Sequence, residues 1–368
     1  MRFFSLSLDI GALLLAVVCA VVGPPLRFLD GAYANGFYPA VQNAVTSWTN
    51  RVPFAVADVL MLAILAALAT HWSRAVRASP RWPTALHLVV RTLAVGAVLY
   101  VWFLVAWGWN YSRPSLATVL GATTSIERAQ LEPIELHMVD ALNAAAGRAH
   151  RRHELDPDSE AALAAAEENT LVPIGVVHPV VRTRPKRTIL DPYFNATGVS
   201  GMFMPFTFET YVASDVLWFE YPFTLEHEWG HVAGIARESD ANFIAALATL
   251  SSPDDVLQYS GLLIVYAAMP RIPQADARLS PLVRSDYAAM RTRDRRHIQP
   301  IAFKLAWRSY DTYLKAQHVS SGVVNYTEYI RLLLGTDAGR AALAKAVPAL
   351  RQSFARPSPP ASASRRGA

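Results

Sequence analysis

Three long apolar runs near the start of this chain, Phe3–Val22, Pro53–Thr70 and Thr92–Trp109, constrain its fold more than any other feature. In hydrocarbon, each backbone N–H and C=O must find a partner within the protein, so a run of about 18–20 apolar residues predicts a helix crossing a bilayer. The first run contains Asp9 and lacks a clear cleavage site at its end, so it is expected to remain as a span. Asp58 lies a little over one turn into the second and is expected at the interface, because a carboxylate at the bilayer centre costs roughly 2.5–3.5 kcal/mol. Trp102, Trp107, Trp109 and Tyr111 mark the far end of the third as an aromatic belt. Arg74, Arg77, Arg81 and Arg91 are read as a basic connection held in the cytoplasm, which places Met1 inside and everything after Asn110 outside.

The composition agrees with a membrane part joined to a folded unit: 52% of the 368 residues are hydrophobic and only 17% are charged. The net charge of +5 comes from dispersed arginines without an interleaved aromatic motif, so no nucleic-acid partner is expected. Cys19 is the single cysteine, which excludes a disulfide framework and a cysteine zinc site.

Beyond residue 112 the texture changes. Ser125–Glu168 is alanine-rich with helical spacing. In Val172–Phe219, β-branched and aromatic residues alternate with Pro, Gly and Thr, predicting short strands; VVHPVVRT and FTFETYV are the clearest. Met204–Val212 is the candidate edge for adding an extended peptide, with Glu209 as a contact to it. Tyr259–Met269 is apolar but too short to cross a bilayer, so it reads as a core helix. Arg291–Arg296 is a basic surface or a contact to anionic headgroups. Trp307–Leu334 reads as two helices around VSSGVV, and residues 356–368 have the composition of a disordered tail.

The chemistry concentrates in TLEHEWGHVAGIARESDANFIAALATL, residues 224–250. His227, Glu228 and His231 read H-E-x-x-H. Four residues apart on a helix, the two imidazoles face the same way and can grip one zinc ion, while Glu228, turned about 100° from His227, can reach a water on it. Glu226 is expected in the first turn of that helix, where its charge suits the dipole, and Trp229 and Val232 are expected to fill core. A catalytic zinc site needs a third protein ligand and one open position. A residue seven positions further along a straight helix would sit roughly 10 Å away, so the chain must turn. Gly234 can supply the turn. In a second helix starting near Arg237, Glu238 and Asn242 share a face while Asp240 points away, which makes Glu238 the better third ligand. The alternative pattern with a third histidine is excluded, since that position is Arg237.

This segment resembles the gluzincin branch of zinc peptidases, in which the glutamate of an E-x-x-A-D type motif is the third ligand; here the motif reads Glu238-Ser-Asp-Ala-Asn242. The relatives' aspartate buttresses a zinc-bound histidine, and Asn242 can offer an uncharged oxygen to the same imidazole. The chain as a whole resembles a bacterial membrane family known as domain of unknown function 3810, through VPFAVADVL near residue 52, WGWNYSRPSL near 107, SGMFMPFTFE near 200, the zinc segment and YDTYLKAQHVSSGVVNYTEYIRLLL near 310. The resemblance implies a mainly α protein of the bacterial inner membrane. Residues 1–112 would carry three transmembrane helices, and 113–355 an extracytoplasmic α+β zincin-like domain with a small sheet. The expected activity is zinc-dependent hydrolysis of a peptide or protein substrate, with the cell envelope within reach and Glu228 as general base. Tyr259, Tyr266, His297, Tyr310 and Lys315 are the candidate oxyanion donors. Tyr310 and Lys315 rank first because they lie in a segment like the family's. The alternative is a zinc-holding but inactive membrane assembly or sensing protein. An intramembrane protease is disfavoured by Glu220, Glu226, Arg237 and Glu238 around the motif.

Overall fold

The computed structural model describes residues 2–79, 82–122, 128–152, 157–176, 178–270, 272–316 and 328–355. The chain opens with helix α1 (Arg2–Val22) and helix α2 (Leu26–Thr49), which contains a π-helical stretch over Leu29–Phe37. Gly23 at φ +57°, followed by Pro24 and Pro25, breaks the helix, and the two arms meet at 97°. Helices α3 (Val56–Ala78) and α4 (Trp82–Ala106) are each long and apolar enough to cross a membrane. Two helices could therefore span a membrane, or three if the bent α1–α2 pair counts as one span. The third predicted span begins ten residues earlier than expected, at Trp82, because the apolar pattern runs on through His87 and Arg91. Arg91 therefore lies inside α4 instead of in a connection, and its guanidinium meets Asp9 of α1 at 2.6 Å. Each of these charges accounts for the other in an apolar helix.

Beyond the spans come α5 (Arg128–Arg152), α6 (Pro157–Leu171), α7 (Asp191–Thr197), strands β1 (Gly201–Met204) and β2 (Glu209–Val212), and then α8 (Tyr221–Val232) and α9 (Glu238–Ser251). The last group is α10 (Asp255–Ala268), α11 (Pro281–Arg296), α12 (Pro300–Ala316), α13 (Tyr329–Gly335) and α14 (Asp337–Ala346). The architecture is mainly helical with one small antiparallel sheet, and α10 is the expected core helix. The predicted turn VSSGVV and the tail 356–368 lie outside the described residues.

Two of the three apolar clusters among the described residues organise the chain. The larger joins α5, α9, α10, α13 and α14 through residues such as Leu142, Phe243, Leu263 and Leu333. The other packs Tyr33 and Tyr38 of α2, Leu104 of α4 and Trp107 against Leu225, Trp229 and Val232 of α8. The helix carrying H-E-x-x-H thus rests on residues from the membrane end of the chain.

The sheet is smaller than expected. β1 and β2 pair from Gly201 with Val212 to Met204 with Glu209. Only the second half of FTFETYV is strand, and the described residues of VVHPVVRT are not in a strand. Side-chain amides of α2 and of Asn50 just after it serve its backbone instead: Gln42 and Asn50 donate to the carbonyls of Val181 and Arg182, and Asn43 accepts from Val181 N–H. These bonds take the place of a strand partner. Glu209 is a structural anchor and does not face the cavity beside the histidines: buried, it accepts from Val56 and Ala57 N–H at the start of α3 and from Lys186 Nζ at 2.7 Å. A carboxylate at a helix N-terminus satisfies donors that the helix leaves free. Asp58, in the first turn of the same helix, accepts from Thr188 Oγ1 and Ile189 N–H, each at 2.8 Å.

Candidate metal centre

Helix α8 presents His227 and His231 one turn apart, their rings nearly perpendicular with centroids 4.7 Å apart. It ends in a tight cap: Gly234 at φ +92° lets its N–H bond the carbonyl of His231, and Ile235 N–H reach that of Gly230. A side chain at 234 would be strained in that conformation and would also press on Tyr38, 2.9 Å from an added Cβ. The reversal brings Glu238, the first residue of α9, back over the histidines. Its Oε2 lies 3.1 Å from His227 Nε2 and 3.7 Å from His231 Nε2. The three ligand atoms fall within 4.8 Å of one another. Asp240 points elsewhere, accepting from Leu116 N–H at 3.0 Å.

The far nitrogens of both rings face oxygen. His227 Nδ1–H donates to Asn242 Oδ1 at 2.8 Å, and His231 Nδ1–H to the carbonyl of Ile235 at 2.7 Å. An acceptor at Nδ1 places the proton of a neutral ring there and leaves the Nε2 lone pair free, as a metal ligand requires. Two such lone pairs and a carboxylate converging on one point repel unless a cation or protons lie among them. The donor set of two imidazoles and one carboxylate fits zinc.

Taken as protein groups alone, His231 and Glu238 shift in opposite directions. Burial opposes charge on His231, but the Glu238 carboxylate outweighs it and pushes the imidazole up to about 9. Burial likewise opposes charge on Glu238, yet the two imidazoles hold it well below the usual carboxylate range. Glu228 is raised by burial, partly offset by the histidines, and accepts from Phe203 N–H of β1. Gly201 gives it room: a Cβ there would stand 2.6 Å from Glu228 Oε1.

Glu226 departs from expectation. α8 begins at Tyr221, so Glu226 sits in mid-helix, fully buried, with burial raising its carboxyl well above the ordinary range. Trp229 and Val232 fill core.

A cavity of about 500 Å³ opens on the cluster. One wall is Trp107, just past the end of α4, set edge-on to His231; another is Trp307 and Tyr310 of α12. Of the five candidate donors, the structure brings only Tyr310 to the centre, where its hydroxyl donates to Glu238 Oε1. Lys315 lies about 140° further round α12, exposed and bonded to Asp311 at 2.6 Å. Tyr259 and Tyr266 donate to Asp286 and Asp276. His297 is exposed and outside the cavity lining. The edge strand beside the cluster is β1, through Gly201, Met202 and Phe203, instead of the predicted Met204–Val212, because residues 205–208 turn and β2 is buried behind β1. Sequence reading missed Gly201 and Trp107 at this site; Gly201 stood within SGMFMPFTFE, and Trp107 was assigned to the interface belt.

No curated protein and no solved structure matches this chain. One family model does, over residues 33–334, a stretch that contains α8, the ligand cluster and Tyr310. The chain therefore belongs to the family described as protein of unknown function DUF3810.

Proposed function

We propose that this chain is a membrane-anchored, zinc-dependent peptidase or amide hydrolase with its site on the extracytoplasmic side. The observation that carries this reading is the convergence of His227 Nε2, His231 Nε2 and Glu238 Oε2, with both Nδ1 atoms committed to oxygen acceptors and Glu228 beside the cluster but outside it. Zinc bound there would supply Lewis acidity, polarising a carbonyl and acidifying a water. Glu228, made more basic by burial, takes a proton from the attacking water and returns it to the leaving nitrogen. Tyr310 lies within reach of the cluster and donates to the oxyanion as charge develops. An extended peptide would lie along β1, whose residues 201–203 line the cavity, and the aromatic walls favour an apolar side chain. Arg74 and Arg77 near the end of α3, followed in sequence by Arg81 before α4, are the basis for placing the site outside the cytoplasm.

The test is metal analysis and peptide hydrolysis on the full-length protein beside Glu228→Gln. Equimolar zinc in both, with hydrolysis lost in the variant, supports the reading. Zinc without hydrolysis in the wild type favours the inactive assembly or sensing protein, and no zinc in either defeats both.

A further inference from the structure

Helix α12 has two unlike faces. Ala306, Trp307 and Tyr310 line the cavity, while Ile301 and Leu305, four residues apart on the opposite side, are 77% and 60% exposed. Lys304 and Arg308 flank them in the open, and Arg291, Arg295 and Arg296 stand exposed at the end of α11 just before. None of these five basic groups forms an ion pair with a described residue; the acidic neighbours Asp215, Glu220 and Asp294 are engaged by Arg293. Apolar residues fringed by unpaired cations suit an anionic lipid surface: the aliphatic chains enter the acyl boundary while the basic heads meet phosphates.

The position of this face in the fold points to the same partner. Gln299 N–H donates to the carbonyl of Ala196 at 2.9 Å and Trp307 Nε1 to that of Thr197 at 3.0 Å, fastening α12 to α7. The segment leading into α7 is in turn fastened to the first turn of span α3, through Asp58 and Ile189. On the other side, Trp102 in the last turns of α4 donates to the carbonyl of Phe206 at 3.1 Å. Ile189, Tyr193 and Phe206, on the segments so fastened, are themselves exposed apolar residues. A patch of this size would hold a free protein weakly. Because the spans already fix the chain in the bilayer, docking is intramolecular and carries little translational cost.

We propose that the outer face of α12, together with the basic end of α11, rests on the anionic headgroup layer of the bilayer that holds the spans. One wall of the cavity is then seated on the membrane, and substrate enters at the lipid–water boundary. The inference does not depend on the zinc reading.

Its test uses full-length Cys19→Ser protein carrying a spin label at Ile301→Cys or Leu305→Cys, with Lys345→Cys as the reference. All three label sites are exposed, so the label does not invade the core. Accessibility to oxygen and to a water-soluble nickel chelate is read in phosphatidylglycerol-containing vesicles. The proposal expects an oxygen-to-nickel ratio several-fold higher at 301 and 305 than at 345. It also expects that ratio to fall in pure phosphatidylcholine or on adding Arg295→Ser with Arg296→Ser. Labels at 301 and 305 as open to nickel as the reference would overturn it. So would labels closed to both reagents, which means protein covers the face. A ratio indifferent to lipid charge would remove the anionic partner from the proposal.

Discussion

The phenol of Tyr38 donates a 2.8 Å hydrogen bond to the carbonyl of Val232, the last residue of the helix that carries His227 and His231. The two residues are 194 positions apart, and the bond satisfies a carbonyl that the helix end leaves free. A residue beside the membrane part therefore helps to hold the helix terminus from which the chain reverses to Glu238.

Tyr38→Phe keeps the ring and removes the donor. Leaving a buried carbonyl without its partner costs about 1–3 kcal/mol, and this should appear as a lower thermal midpoint and weaker zinc retention against a chelator. An unchanged midpoint would show that the bond contributes nothing to the cap.

Gly201→Ala places a Cβ where Glu228 Oε1 lies 2.6 Å away. The carboxylate must move while His227, His231 and Glu238 stay in place. The expected result is zinc content close to wild type with kcat reduced by about two orders of magnitude, the range over which general-base positioning acts. Equal kcat would mean that Glu228 does not need its present position.

Asn242 and His227 offer a graded test. Removing the acceptor in Asn242→Ala should weaken zinc binding about 10–100-fold, while Asn242→Asp, which adds charge to the same contact, should bind zinc at least as tightly as wild type. Competition with a chromogenic chelator measures both. Tighter binding in the alanine variant would contradict the assigned role of the amide.

Burial raises the carboxyls of Glu167 and Glu220 from 4.5 to about 7, with Arg182 and Arg293 respectively offsetting only part of the rise. Between pH 4.5 and 7 the folded chain therefore holds protons that the unfolded chain has released, so stability falls as pH rises through this window. Thermal midpoints at pH 5 and 7.5 read the trend. Glu220→Gln should flatten it, and a slope that survives unchanged would assign it to other groups.

Arg91→Leu would leave the buried Asp9 without its partner among apolar helices, and the expected result is a loss of stability. The double replacement Asp9→Leu with Arg91→Leu should recover most of it. Detergent-resistant folding of the three variants is the measurement, and additive damage in the double variant would argue against a direct pair.

How much was legible in the sequence follows from how far apart the cooperating residues lie. His227, Glu228, His231, Gly234, Glu238 and Asn242 span sixteen positions, and helical period with one glycine break is enough to predict that they converge. The apolar runs, too, could be read as helices because lipid leaves the backbone no other arrangement. The choice of Tyr310 over Lys315 was not available there: five positions apart on one helix, they differ by which side packs on the cavity. Nor was the pairing of Asp9 with Arg91, the use of Glu209 to anchor the start of α3, or the bonding of the VVHPVVRT backbone to the amides of Gln42, Asn43 and Asn50. Local periodicity determined the helices and the order of the residues that cluster. Contacts between distant segments depend on which faces pack together, and only the tertiary structure decided those.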